Sequence, residues 1–143
     1  EPEYGISQPF PEDYASLILN EVSRYKLRSI CYMSFDKNIL EELYKLDPTL
    51  NLVYLSEKKG IKKSLKELSF KPNSVGLYYR TINNRTVNIL RNLDIGIYAW
   101  TVNQIEDGHK MMSFAIDGII TDYPRRIIEA RSTYSSKSKR FRH

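Results

Sequence analysis

The feature that most restricts the fold is an alternation. Five short runs dense in β-branched and aromatic residues occur along the chain, and each is followed by a segment whose apolar residues recur at helical spacing. The strand-like runs are 29–34, 51–55, 74–79, 95–102 and 117–121. Ahead of them, Tyr14, Leu17, Ile18, Val22 and Tyr25 share one side of a helix over 12–26, with Pro11 suited to its start. Asp36 is a natural N-cap for a helix with the stripe Ile39, Leu40, Leu43 and Leu46, ended by Asp47-Pro48 because proline disfavours helical geometry in the residue before it. Lys58-Lys59-Gly60 reads as a turn before a short helix with Ile61, Leu65 and Leu68. Asn84 is placed to cap a helix through Val87, Ile89, Leu90 and Leu93, and Asn103-Gln104-Ile105-Glu106 has the spacing of a capping box. Pro124 suits the first turn of a closing helix running to about Arg131. Such alternation means parallel strands joined by right-handed crossovers. Periodicity alone leaves two architectures open, a piece of an α/β barrel and an open doubly wound sheet.

Two strand ends carry more specific information. Tyr98-Ala99-Trp100-Thr101-Val102-Asn103 is followed, thirteen residues on, by Asp117-Gly118-Ile119-Ile120-Thr121-Asp122-Tyr123-Pro124. The pair resembles the closing two strands of a glycerophosphodiester phosphodiesterase barrel, and Met33-Ser34-Phe35-Asp36 is similar to the end of that family's fourth strand. The resemblance covers about 115 of the 143 residues. It implies an α/β fold, the C-terminal portion of a TIM-type (β/α)8 barrel of the phospholipase-C-like phosphodiesterase type, with about five β-α units. Residues 1–131 would form that part of the barrel domain and 132–143 a basic, disordered tail. Spider-toxin-type sphingomyelin phosphodiesterases share a similar barrel and last strand.

Length agrees with a partial barrel, because 143 residues fall well short of the roughly 250 of a complete one. The motifs that the family carries in its first three strands are a His-Arg-Gly strand end, a Glu-x-Asp pair, a His-Asp and a Glu-x-Lys. None has a convincing match here. Were Glu1-Pro2-Glu3 a remnant of the Glu-x-Lys, the lysine would be Glu3, a charge reversal, so no metal role is carried over to Glu1. The resemblance thus implies hydrolysis of a glycerophosphodiester to glycerol 3-phosphate and an alcohol, with a divalent cation (Ca or Mg), general acid and general base supplied from outside this chain. The missing N-terminal half of the barrel is the implied partner. By itself the chain is expected to be inactive.

In a barrel of this kind the site lies where strands stop, which selects Ser34, Phe35, Leu55, Tyr79, Arg80, Trp100, Asn103 and Asp122. The resemblance makes Trp100 a pocket wall for the glycerol or alcohol part of the substrate, since an indole offers a flat apolar face and one donor. Phe35 is the second substrate-binding candidate. Asn103 is read as a helix cap, Asp122 as structural, and Arg80 as a possible phosphate contact through its planar fork. His109 and His143 are expected to be solvated and Cys31 to be a buried structural thiol. No catalytic residue and no metal ligand is assigned.

Composition narrows the alternatives. With 41% apolar and 27% charged residues the chain matches an ordinary globular domain. Its apolar runs are far below the ~20 residues that cross a bilayer, and the acidic, Pro-rich start does not read as a signal peptide. Compartment and any upstream anchor stay open. A net charge of +5 comes largely from Lys137 onward, and the eleven tyrosines fall mostly at core-like positions, so no nucleic-acid partner is expected. The remaining alternative is a non-catalytic binding or structural module derived from the same barrel.

Overall fold

A computed structural model describes the backbone of residues 11–57 and 60–140 and the side chains of residues 13–57 and 60–134. Glu1, Glu3, Lys58, Lys59 and His143, singled out above, lie outside the described residues. The chain begins with α1 (Pro11–Ser23) and then alternates: β1 (Tyr32–Ser34), α2 (Lys37–Leu46), β2 (Leu52–Ser56), α3 (Ile61–Leu65), β3 (Ser74–Tyr78), a 3-10 turn (Tyr79–Thr81), α4 (Asn84–Asn92), β4 (Gly96–Trp100), α5 (Ile105–Ser113), β5 (Gly118–Ile119) and α6 (Pro124–Arg140).

All five strands are parallel and their order in the sheet is their order in the chain, β1-β2-β3-β4-β5. That order decides the architecture. Each crossover moves one strand in the same direction, and a right-handed crossover in a constant direction always passes over the same face of the sheet. A doubly wound sheet needs a reversal, which does not occur here. The helices therefore cover one face, as in a barrel wall.

Alternation along the strands separates the two faces. Leu52, Tyr54, Val75, Leu77, Ile97 and Ala99 point to the helix side, where they form one core with Leu40 and Leu43 of α2, Leu90 of α4 and Met111 of α5. Each of these aliphatic side chains contributes about 1.5–3 kcal/mol by leaving water. Met33, Leu55, Tyr78, Tyr98 and Trp100 point to the other face, which none of the described helices covers and where each keeps part of its surface exposed.

Local signals account for most boundaries. Asp36 caps α2 as expected, its carboxylate accepting from the Asn38 N–H at 2.8 Å, and Asp47 leaves the helix in extended geometry ahead of Pro48. Pro124 opens α6. The cap of α4 is Asn83 rather than Asn84, with the Asn83 side chain accepting from the Thr86 N–H at 3.0 Å. Strands β1 and β5 are shorter than their sequence runs because each pairs on one side only. Cys31 consequently stands exposed ahead of the edge strand instead of buried. On α1, Ala15 is fully buried and Leu19 packs against the core, whereas Tyr14, Leu17 and Tyr25 of the expected stripe are exposed. Finally, α6 does not stop near Arg131 but continues to Arg140. Among the described residues no helix is long and apolar enough to cross a membrane.

Candidate functional site

The C-terminal strand ends gather three aromatic rings on the bare face. Trp100, the last residue of β4, meets Phe35, just beyond β1, edge to face with centroids 5.1 Å apart. Tyr78, which pairs in register with Trp100, leans on the indole at 5.7 Å and on Tyr79 at 5.2 Å. The cluster needs room on β3, and Gly76 leaves it. A Cβ there would stand 3.3 Å from Cδ1 of Trp100 and 2.5 Å from Cδ2 of Leu55. Gly118 does the same for Tyr98, whose ring would come within 2.5 Å of an added Cβ. Neither Tyr78 nor Gly76 is selected from sequence, because only the register between β3 and β4 sets them beside Trp100.

Two properties of the cluster bear on chemistry. The indole Nε1 of Trp100 is buried and has no hydrogen-bond partner among the described residues. An unsatisfied buried donor costs on the order of 1–3 kcal/mol. Phe35 is 51% exposed, an apolar ring left toward open space at the rim. The peptide between Trp100 and Thr101 is cis.

Asn103 takes a different role from the expected cap. The cap of α5 is Gln104, whose carbonyl accepts the first helical bond from Gly108. Asn103 instead clamps two strand ends. Its Oδ1 accepts from the Thr121 hydroxyl at 3.1 Å and from the Asp122 N–H at 3.0 Å, while its Nδ2 donates to Oδ2 of Asp122 at 2.8 Å. Arg126 donates to the Asn103 carbonyl at 3.0 Å and lies over the Tyr123 ring. Asp122 is thus held within this network.

The other selected residues are dispersed. Ser34 accepts from the Asp36 N–H through its hydroxyl. Leu55 lies on the bare face beside Gly76. Arg80 is turned to the helix side, where its Nε donates to the Tyr79 hydroxyl at 2.9 Å. That bond first, then the fields of Tyr78, Tyr79 and Asp107, raises the guanidinium above its ordinary pKa. His109 is not solvated. It is half-buried between α5 and α6, with Nε2 3.0 Å from the Ala130 carbonyl and 3.3 Å from the Thr133 hydroxyl. Among the described residues no three His, Cys, Asp or Glu side chains come together in a group that could hold a metal ion. The donor set does not fit a divalent cation, and no chemical step is built on one.

A singly wound parallel sheet with helices on one face defines an arc of an α/β barrel. The chain belongs to the glycerophosphoryl diester phosphodiesterase family, whose sequence model matches residues 4–126. It is similar to a Bacillus subtilis glycerophosphodiester phosphodiesterase, 23% identical over 145 residues that cover 92% of this chain and 50% of that protein. Among solved structures it is similar to a glycerophosphodiester phosphodiesterase from Parabacteroides distasonis, at 27% identity with a TM-score of 0.72, covering 92% of this chain and 56% of the other. The fold is shared as well by an Oleispira antarctica phosphodiesterase solved with its product sn-glycerol-3-phosphate, at 16% identity and a TM-score of 0.74, over 85% of this chain and 50% of that one. The chain spans about half the length of the curated relatives it matches.

Proposed function

We propose that the chain forms the substrate-pocket part of a glycerophosphodiester phosphodiesterase that hydrolyses glycerophosphodiesters to glycerol 3-phosphate and an alcohol. The observation that carries this reading is the meeting of Phe35 and Trp100 at the strand ends, on the face that the described helices leave bare. In this reading the indole is a flat wall for the glycerol or alcohol part and Phe35 closes the rim. These groups select the substrate and do not break the bond. General acid, general base and the divalent cation come from the N-terminal half of the barrel, which also covers the bare face and pairs with β1 and β5.

The test is an assay for metal-dependent release of glycerol 3-phosphate from glycerophosphocholine by the complete protein and by the 143-residue chain alone. Release is expected from the complete protein only. Turnover at enzymatic rates by the chain alone would overturn the division of labour. A complete protein that binds glycerophosphodiesters without hydrolysing them would favour a non-catalytic barrel-derived module.

A further inference from the structure

On the helix side of β3, between the start of α3 and the start of α4, lies a cavity of about 540 Å³. Among the described residues three cations line it, Lys62, Arg80 and Arg85, and no carboxylate does. Among the described residues Lys62 and Arg85 take part in no ion pair. Arg80 commits only its Nε, to the Tyr79 hydroxyl, which leaves both terminal nitrogens of its fork. Asp107 of α5 acts on Arg80 electrostatically but does not line the cavity. The inner wall is aliphatic, from Ile61, Leu77 and Ile89, the first two buried. Lys63 and Lys66 add two further positive charges on the same helix, α3, and its C-cap. Leu77 points away from the bare face, so this cavity and the aromatic cluster are on opposite sides of the sheet.

We propose that this cavity binds a phosphate-bearing anion. Three positive charges with no ion-paired carboxylate among the described residues exceed what one carboxylate neutralises and suit a phosphate group. Guanidinium forks suit two oxygens of such a group, the lysine suits a third, and the aliphatic wall takes the carbon part of the ligand. The same chemistry is offered by a free phosphate and by the headgroup of an anionic lipid. The site stands independently of the pocket proposed above.

The test titrates inorganic phosphate into the 143-residue chain by calorimetry and, in a second arm, measures co-sedimentation with vesicles of phosphatidylglycerol against phosphatidylcholine. Saturable binding is expected in at least one arm, weakened about tenfold or more in K62Q/R85Q, the equivalent of losing at least one charge-assisted contact, and retained in K62R/R85K. Phosphate binding lost in K62Q/R85Q assigns a free phosphate; binding confined to phosphatidylglycerol and lost in that variant assigns a headgroup. Both side chains are exposed, so circular dichroism of the variants should match that of the parent. Absence of saturable binding in both arms, or equal binding by the parent and K62Q/R85Q, would overturn the site.

Discussion

The rings of Phe35 and Trp100 meet with centroids 5.1 Å apart although β2 and β3 lie between β1, which Phe35 directly follows, and β4, which Trp100 ends. Side chains standing upright on a flat sheet three strand spacings apart would lie about 14 Å from one another. The contact therefore reflects a sheet curled toward its bare face, with the rings leaning across the hollow. The position of the indole is set by that curl and by the space above Gly76.

If Trp100 is a pocket wall, Trp100→Ala in the complete protein should raise KM for glycerophosphodiesters about tenfold, close to 1.4 kcal/mol, with a smaller change in kcat. Steady-state kinetics on several head groups checks this. Unchanged kinetics for every substrate would make Trp100 a packing residue only.

Asn103 holds the ends of β4 and β5 together through three side-chain hydrogen bonds. Asn103→Ala should cost about 1–3 kcal/mol, visible as a lower midpoint of thermal unfolding. Asn103→Ser separates this clamp from a cap. A helix cap tolerates serine, but serine cannot reproduce the bond to Asp122, so it should destabilise to a similar degree.

The Asp47 carboxyl is held below its usual range, first by the Thr49 hydroxyl and then by the Thr49 N–H, which donate to it at 2.6 and 2.8 Å. A lowered carboxylate stabilises the fold above its unfolded pKa, and this contribution is lost as pH falls through the folded value. Thr49→Val should therefore melt below the parent near neutral pH, and the gap should close as pH drops below the ordinary value of 3.8. Thermal melts from pH 7 to pH 3 measure it, and a gap independent of pH would remove the assignment.

The bare face and two open strand edges make the chain prone to association. Met33 is 42% and Phe35 51% exposed, and full burial of such side chains is worth roughly 1.5–3 kcal/mol each. Analytical ultracentrifugation across concentrations should show self-association, or hydrophobic-dye binding should show a loosened fold. A monodisperse monomer that unfolds cooperatively and binds no dye would show that five units suffice.

What could be read from sequence follows how local each cause is. Asp36 caps α2 because its carboxylate needs only the N–H two residues on, and Pro124 opens α6 through its own fixed backbone angle. Asn103 misled because its capping-box spacing is local while its partners, Thr121 and Asp122, are 18 and 19 residues away. His109 looked solvated mid-helix because only the packing of α6 on α5 brings the Ala130 carbonyl to it. Cys31 sits in a run of strand-like composition, yet its exposure depends on β1 being an edge. Trp100 and Phe35 were selected as strand-end residues of a resembled motif, whereas Tyr78 and Gly76 required the register between β3 and β4.

The consecutive strand order also says how such a chain can be made. Every strand finds its partner immediately before or after itself, so on a ribosome each β-α unit can dock as soon as it emerges, without waiting for a distant segment. The growing sheet always ends in one unpaired edge that the next unit covers. Propagation of this kind makes the innermost strand, β3, the last to be released when the structure opens, and leaves β1 and β5 as the places where fraying begins.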